Sequence, residues 1–216
     1  MPVINPEDLL KHSILITGCE YIEVENIEMT GGSGGIYFTW LNEKREFHHF
    51  AFRNLYIHDC YLSNGSAFQF NQIPKGENRM SEYSDILIEN CRVNMIVRSA
   101  VMVDCLNNVK ILNNEFKNTG GPGVVLHKSR TGLISGNLIH STGSNAHPSF
   151  KGRGSCSWML LCSDMIIEEN SFVNAHGWLD SYGFHLDIGN TNCIIQYNIS
   201  MNNAGEFVQV LGKSKN

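Results

Sequence analysis

The side chains that could do chemistry include an acid–imidazole group near the C-terminal end of the chain. Along Gly183-Phe-His-Leu-Asp-Ile188, apolar and polar residues alternate with the period of a half-buried strand. That phase assigns Phe184, Leu186 and Ile188 to an interior. His185 and Asp187 are then expected to face outward together, roughly 6.8 Å apart at two residues' rise. Just upstream, His176-Gly-Trp-Leu-Asp-Ser-Tyr182 adds a second carboxylate, Asp180, and an aromatic ring, Trp178. Two carboxylates beside a histidine are the parts needed for acid–base cleavage of a C–O bond. A second chemistry is open. A histidine, Lys151 or Arg153 would serve as a base for proton abstraction followed by elimination, with a cation neutralising the developing charge. Seven cysteines occur without a Cys-x-x-Cys, which argues against a zinc ribbon or a dithiol redox site.

Composition narrows what positions these groups. In 216 residues, charged side chains make up only 17%, too few for a coiled coil or a disordered tail. Sixteen Lys and Arg against 21 Asp and Glu leave a net charge of −5 with no basic run, so a nucleic-acid surface is not expected. No run of 18 apolar residues exists, so no membrane-spanning helix is expected. Twenty Gly and an excess of Asn call for many turns.

Self-alignment reveals seven copies of one unit: a β-run, a small polar residue, a second β-run and a Gly/Asn turn. The first runs include Leu55-Tyr-Ile57, Ile86-Leu-Ile88, Val109-Lys-Ile111 and Met165-Ile-Ile167. The polar slots are assigned to Asn26, Cys60, Cys91, Asn114, Asn137, Asn170 and Asn198. A sandwich or barrel has no reason to repeat a polar residue at one phase. Stacked coils do, because each Asn amide can bond to the next. The shortest period, 23 residues from Asn114 to Asn137, matches one coil of a three-sided solenoid. The fold expected is all-β: a right-handed, single-stranded parallel β-helix of about seven coils with an Asn/Cys ladder, its hand taken from the crossover rule. Residues 1–13 are read as an N-terminal segment with a short helix capped by Asn5, 14–212 as the β-helix domain and 213–216 as a tail. Cys60 and Cys91 are expected on neighbouring coils as packed thiols rather than as a disulfide.

Asn107-Asn-Val-Lys-Ile-Leu-Asn-Asn-Glu-Phe-Lys-Asn118 and Asn192-Cys-Ile-Ile-Gln-Tyr-Asn198 resemble repeats of the pectin-lyase-like β-helix superfamily. The resemblance spans roughly residues 14–212. It implies the scaffold and a secreted or periplasmic bacterial polysaccharide-active parent protein. It carries over no catalytic residue, since neither the Asn-Thr-Asp, Asp-Asp and Gly-His-Gly set of polygalacturonases nor the Arg-x-Pro-x-x-Arg of pectate lyases is present.

On such a scaffold, function belongs to outward strand positions and adjoining loops. One outward strip is expected to carry Tyr37, Gln69, Asn71, Asp104, His127, His185 and Asp187, with Gln209 at its far end. Asp104 and His127 should lie one coil apart, within hydrogen-bond reach. Asp104 and Asp187 should lie about 14 Å apart, beyond the roughly 6.5–9.5 Å of an inverting carboxylate pair. The strand between His127 and His185 is expected to offer Met159 or Leu161 as an apolar floor for a sugar ring. The loop Ser141–Cys156, with His147, Lys151 and Arg153, lies beside it. His48-His49 is read as a solvated turn.

Two functions follow. The first is cleavage of a polysaccharide or oligosaccharide, with hydrolysis favoured over β-elimination, and Asp180, His185, Asp187 and His127 as catalytic candidates. Substrate binding then falls to Asp104, Lys151, Arg153, Trp178, Tyr37, Gln69 and Asn71. No metal and no cofactor are expected for hydrolysis; a lyase would call for a divalent cation such as calcium. The alternative is a non-catalytic carbohydrate-binding or structural module. The last coil, with Phe207, Val208, Val210 and Leu211, has only five residues after it. The chain is therefore expected to be a fragment that associates end to end.

Overall fold

A single coil shows how the residues make the architecture. Leu106–Leu112 forms one strand, Asn113 and Asn114 turn the chain, and Glu115–Thr119 forms the next. After Gly120-Gly-Pro-Gly123 comes Val124–His127; Lys128 and Ser129 then lead into Arg130–Ser135, which lies parallel to Leu106–Leu112 one layer on. Repetition of this path gives three parallel sheets of eight strands each. The first sheet holds the strands at Leu106–Leu112 and its equivalents, the second those at Glu115–Thr119, and the third those at Val124–His127. The computed structural model describes residues 1–39, 46–61, 65–70, 82–143 and 153–212, and no helix occurs among them.

The inward positions of all three sheets fill one continuous core. Its N-terminal coils are aromatic: Phe38 stacks on Phe70 at 4.4 Å and meets Phe50, Phe52 and Tyr83 edge-on. The middle coils are aliphatic, with Val101, Val103, Val109, Ile111, Val124 and Leu126 fully enclosed. Burying each such side chain contributes about 1.5–3 kcal/mol before chain entropy is counted.

The ladder runs through Cys91, Asn114, Asn137, Asn170 and Asn198. Each Asn Oδ1 accepts from the backbone N–H of the preceding coil, at 2.8 Å for Asn114 to Cys91 and 2.9 Å for Asn137 to Asn114. The amide Nδ2 of Asn114, Asn137 and Asn170 donates onward to the next Asn Oδ1, at 2.9–3.0 Å. Asn114, Asn137 and Asn170 are buried.

Two assigned members fall elsewhere. Asn26 sits one residue before the ladder slot, in a column with Asn54, Asn90, Asn113, Gly136, Glu169 and Tyr197, all with φ between 53° and 69°. Asn tolerates that left-handed conformation better than most residues, so two adjacent Asn-favouring columns share this corner and blur into one in the sequence. Cys60 lies at the next corner of the coil, paired with Ile96 rather than with Cys91. All seven cysteines are free thiols, and burial pushes Cys60, Cys91 and Cys156 up to about 12. The expected N-terminal helix is also absent: Val3–Ile4 joins the second sheet, and residues 8–11 form a turn closed by the Lys11 N–H on the Asp8 carbonyl.

Candidate functional site

The strand register orders the outer face of the third sheet. Leu15, Tyr37, Gln69, Met102, Val125, Trp158, His185 and Gln209 form one row. Asp104, His127 and Leu160 belong to the row beside it. The expected phase holds for His185 but not for the strand before it. Met159 points inward and is fully buried, while Leu161 turns the corner at φ 55°, so the outward residues are Trp158 and Leu160. The floor of this face is therefore an indole, a residue the sequence reasoning passed over. Alternation counted from Phe184 through the register would have found it.

Trp158 organises the carboxylate nearest to it. Its Nε1–H donates to Asp187 Oδ2 at 3.1 Å, and Asp187 Oδ1 accepts the Ile188 N–H at 2.7 Å. The Trp158 ring lies 6.2 Å from the His185 ring, and Tyr182 packs edge-on against His185 at 5.4 Å. His185 was expected to be exposed. It does project from the outer face, yet these rings cover it and leave it 5% exposed. Burial lowers its pKa below the ordinary 6.5; Asp180 and Asp187 oppose that shift, and Arg153 adds to it. The imidazole Nε2 is buried and without a hydrogen-bond partner among the described residues.

Asp180 reaches the same place through backbone contacts. The segment 177–182 lies alongside Arg153–Cys156, with Arg153 and Leu179 forming a parallel bridge. Gly154 N–H donates to the Leu179 and Asp180 carbonyls, Ser155 Oγ–H to the Asp180 carbonyl, and Cys156 N–H to the Tyr182 carbonyl. Three glycines permit this approach. A Cβ on Gly154 would lie 2.6 Å from the Gly177 nitrogen, and one on Gly143 would lie 2.7 Å from the Gly154 Cα. Arg153 Nε then pairs with Asp180 Oδ2 at 3.2 Å. Tyr182, whose N–H donates to Ser155 Oγ, packs on His185, and Asp180, Asp187 and Arg153 all lie near enough to His185 to act on it electrostatically.

The remaining candidates are distributed along the face. Asp104 and His127 form the expected contact, His127 Nδ1 to Asp104 Oδ1 at 3.0 Å, but Asp104 is only 7% exposed and lies beneath its partner. Its carboxylate faces His127 rather than open solvent. Trp178 stands 84% exposed on the loop leading to Asp180. Tyr37 stacks on His12 at 4.7 Å, and Gln69 Oε1 accepts the Ser66 N–H at 3.2 Å. These two lie five and four strands from His185, about 24 and 19 Å at the usual spacing, and the fold does not bring them to the carboxylates. Asn71, His147 and Lys151 lie outside the described residues.

Comparison with known proteins bears on this geometry. A family model described as the right-handed β-helix region matches residues 7–154, a span that takes in Arg153 and stops short of Trp158, Asp180, His185 and Asp187. Similar solved structures include a selenomethionine derivative of GH136 lacto-N-biosidase from Eubacterium ramulus, with a TM-score of 0.72 at 18% identity. That match covers 96% of this chain and 45% of that one. The native form of the same enzyme gives 0.64 at 16% identity, covering 88% and 39%. The chain thus spans less than half the length of these structures, and the likeness speaks for the fold. No curated protein sequence matches.

Proposed function

This chain belongs to the right-handed β-helix family, and we propose that it supplies the catalytic face of a glycoside hydrolase acting on an oligosaccharide or polysaccharide. The observation that supports the proposal is a buried His185, packed against Trp158 and Tyr182, with Asp180 and Asp187 near enough to act on it. In this reading Asp180 and Asp187 share the acid and the base or nucleophile duties. Trp158 positions Asp187 through its N–H, and Arg153 positions Asp180. Trp178 offers a ring on which a sugar face can stack. The similar solved enzyme is named for the release of lacto-N-biose, which agrees with hydrolysis as the reaction class. Elimination is less well supported, because Arg153 is engaged by Asp180 and is not a free base.

The test is reducing-sugar release from a panel of neutral and acidic glycans, with absorbance of unsaturated uronides followed in parallel. Hydrolysis without the unsaturated product is expected. Asp180→Asn and Asp187→Asn should each lower the rate by about 10²–10⁴-fold with little change in Tm. Binding of glycans with no release by the unmodified chain would favour the non-catalytic alternative, which rests on the exposed Trp178.

A further inference from the structure

On the first sheet, on another side of the prism, a second arrangement breaks the local rules of the fold. At one register position along the first sheet, one residue of each coil takes the left-handed conformation: Tyr21, His49, Asp85, Asn108, Thr131, Asp164 and Asn192, with φ from 52° to 65°. Four of the seven are Asp or Asn, the types that tolerate this region, and they pair along the column, Asn108 to Asp85 at 2.7 Å and Asn192 to Asp164 at 2.5 Å. Tyr21 and His49 place two ring side chains next to each other in this column.

What the two rings build is a wall. Tyr21 stacks on His49 at 4.8 Å with planes 24° apart, and His48 meets Tyr21 edge-on at 5.0 Å. Tyr21 remains 65% exposed. Beside the wall, the outward row of the sheet runs Glu23, Ala51, Leu87. The small Ala51 leaves a dent between its longer neighbours, and the result is a groove of about 360 Å³ lined by Tyr21, Glu23, His49, Ala51, Arg53 and Asp85. That size is at the lower end of small-ligand sites, roughly 300–1,000 Å³. At its far end Arg53 is already engaged by Glu25 at 2.7 Å, Glu23 at 3.5 Å and Glu89 at 3.6 Å. The groove therefore has an aromatic side, an apolar floor and a rim with more carboxylates than cations.

We infer that this groove binds a neutral sugar unit, as an auxiliary site separate from the carboxylates of the third sheet. An exposed ring presents a face to the C–H side of a pyranose, and Glu23, Asp85 and Arg53 are placed to meet its hydroxyls. The carboxylate excess repels uronic acids. No group of three or more His, Cys, Asp or Glu side chains among the described residues is placed to hold a metal ion, which sets a cation site aside. The choice of a sugar as ligand class rests on the glycosidase reading above; the groove itself does not.

The experiment is amide chemical-shift mapping and calorimetry on the full chain carrying Asp187→Asn, so that probes are not consumed. The probes are cellohexaose, xylohexaose, chitohexaose and β-1,4-galactohexaose, with tetragalacturonate and putrescine as charged comparators. Shifts at Tyr21, His49 and Ala51 with at least one neutral probe are expected, and Tyr21→Ala should weaken that binding about tenfold, the weight of one lost stacking contact. Ala51→Leu, which fills the dent from outside, should abolish it even if Tyr21→Ala does not fold. In the chain with Asp187 intact, Ala51→Leu should leave turnover of a short soluble substrate unchanged. No shift in the groove with any neutral probe, or shifts only with tetragalacturonate or putrescine, overturns the inference. Groove binding without any hydrolysis would instead sink the glycosidase reading alone.

Discussion

The corner between the first and second sheets and the corners around the third sheet are built on opposite principles. The first takes two residues every time: Asn26-Ile27, Asn54-Leu55, Asn90-Cys91, Asn113-Asn114, Gly136-Asn137, Glu169-Asn170 and Tyr197-Asn198. Around the third sheet the connections range from the single Cys105 to the long segments 143–156 and 174–183. From Cys91 onward the regular corner is constrained because each ladder amide is both donor and acceptor for its neighbours, so an added residue would orphan buried polar groups on two coils. Loops at the other corners cross no ladder, and length added there costs little in closure entropy. Insertions therefore accumulate beside the third sheet, and two of them bring Arg153 and Asp180 to His185. Register is maintained at one corner and chemistry is assembled at another.

The largest expected effect comes from breaking the regular corner. Asn137→Leu removes an amide that donates to Ile111 O, Ser135 O and Asn170 Oδ1 and accepts from Asn114. About 1–3 kcal/mol for each orphaned buried group translates into a fall in Tm of roughly 5–15 °C. Thermal unfolding by circular dichroism measures this; an unchanged Tm would mean that the ladder does not hold register.

A smaller and differently directed effect is expected at the variable corner. Gly154→Ala places a Cβ against the Gly177 backbone and pushes the 177–182 segment away from Arg153–Cys156. Turnover should fall about 10- to 100-fold, as for a misplaced catalytic group, while Tm drops by only a few degrees. Equal losses in both variants and both assays would erase the distinction between the corners.

The smallest effect is a slope with pH. Burial depresses the His185 pKa below 6.5, so at lower pH the unfolded chain binds a proton that the folded chain refuses. Stability should therefore decline as pH falls from about 6.5 toward the depressed folded value and level off below it. His12 is shifted in the same direction by burial and contributes a parallel decline. Subtracting the Tm-versus-pH profile of His185→Gln from that of the unmodified chain isolates the His185 part. A difference profile that is flat below pH 6.5 would mean His185 is open to solvent.

What the amino-acid sequence determined was the periodic part. Repeated β-runs, a 23-residue minimum period and a recurring Asn named the solenoid, because stacking makes each coil meet its equivalents at one register and leaves the same chemical mark on each. Alternation also placed Phe184 inside and His185 on the outer face, and the one-coil spacing foretold the contact of Asp104 with His127. Tertiary structure decided the rest. Covering of His185 depends on Trp158, one coil away, and on Tyr182, whose position is set by backbone contacts with Ser155 and Cys156. The separation of Asn26 and Cys60 from the ladder depends on which corner each residue turns, a matter of one position for Asn26 and five for Cys60 that a repeat of uneven length does not reveal. Periodicity is a property of neighbours along the chain, whereas a site made by insertions depends on where irregular segments meet in space.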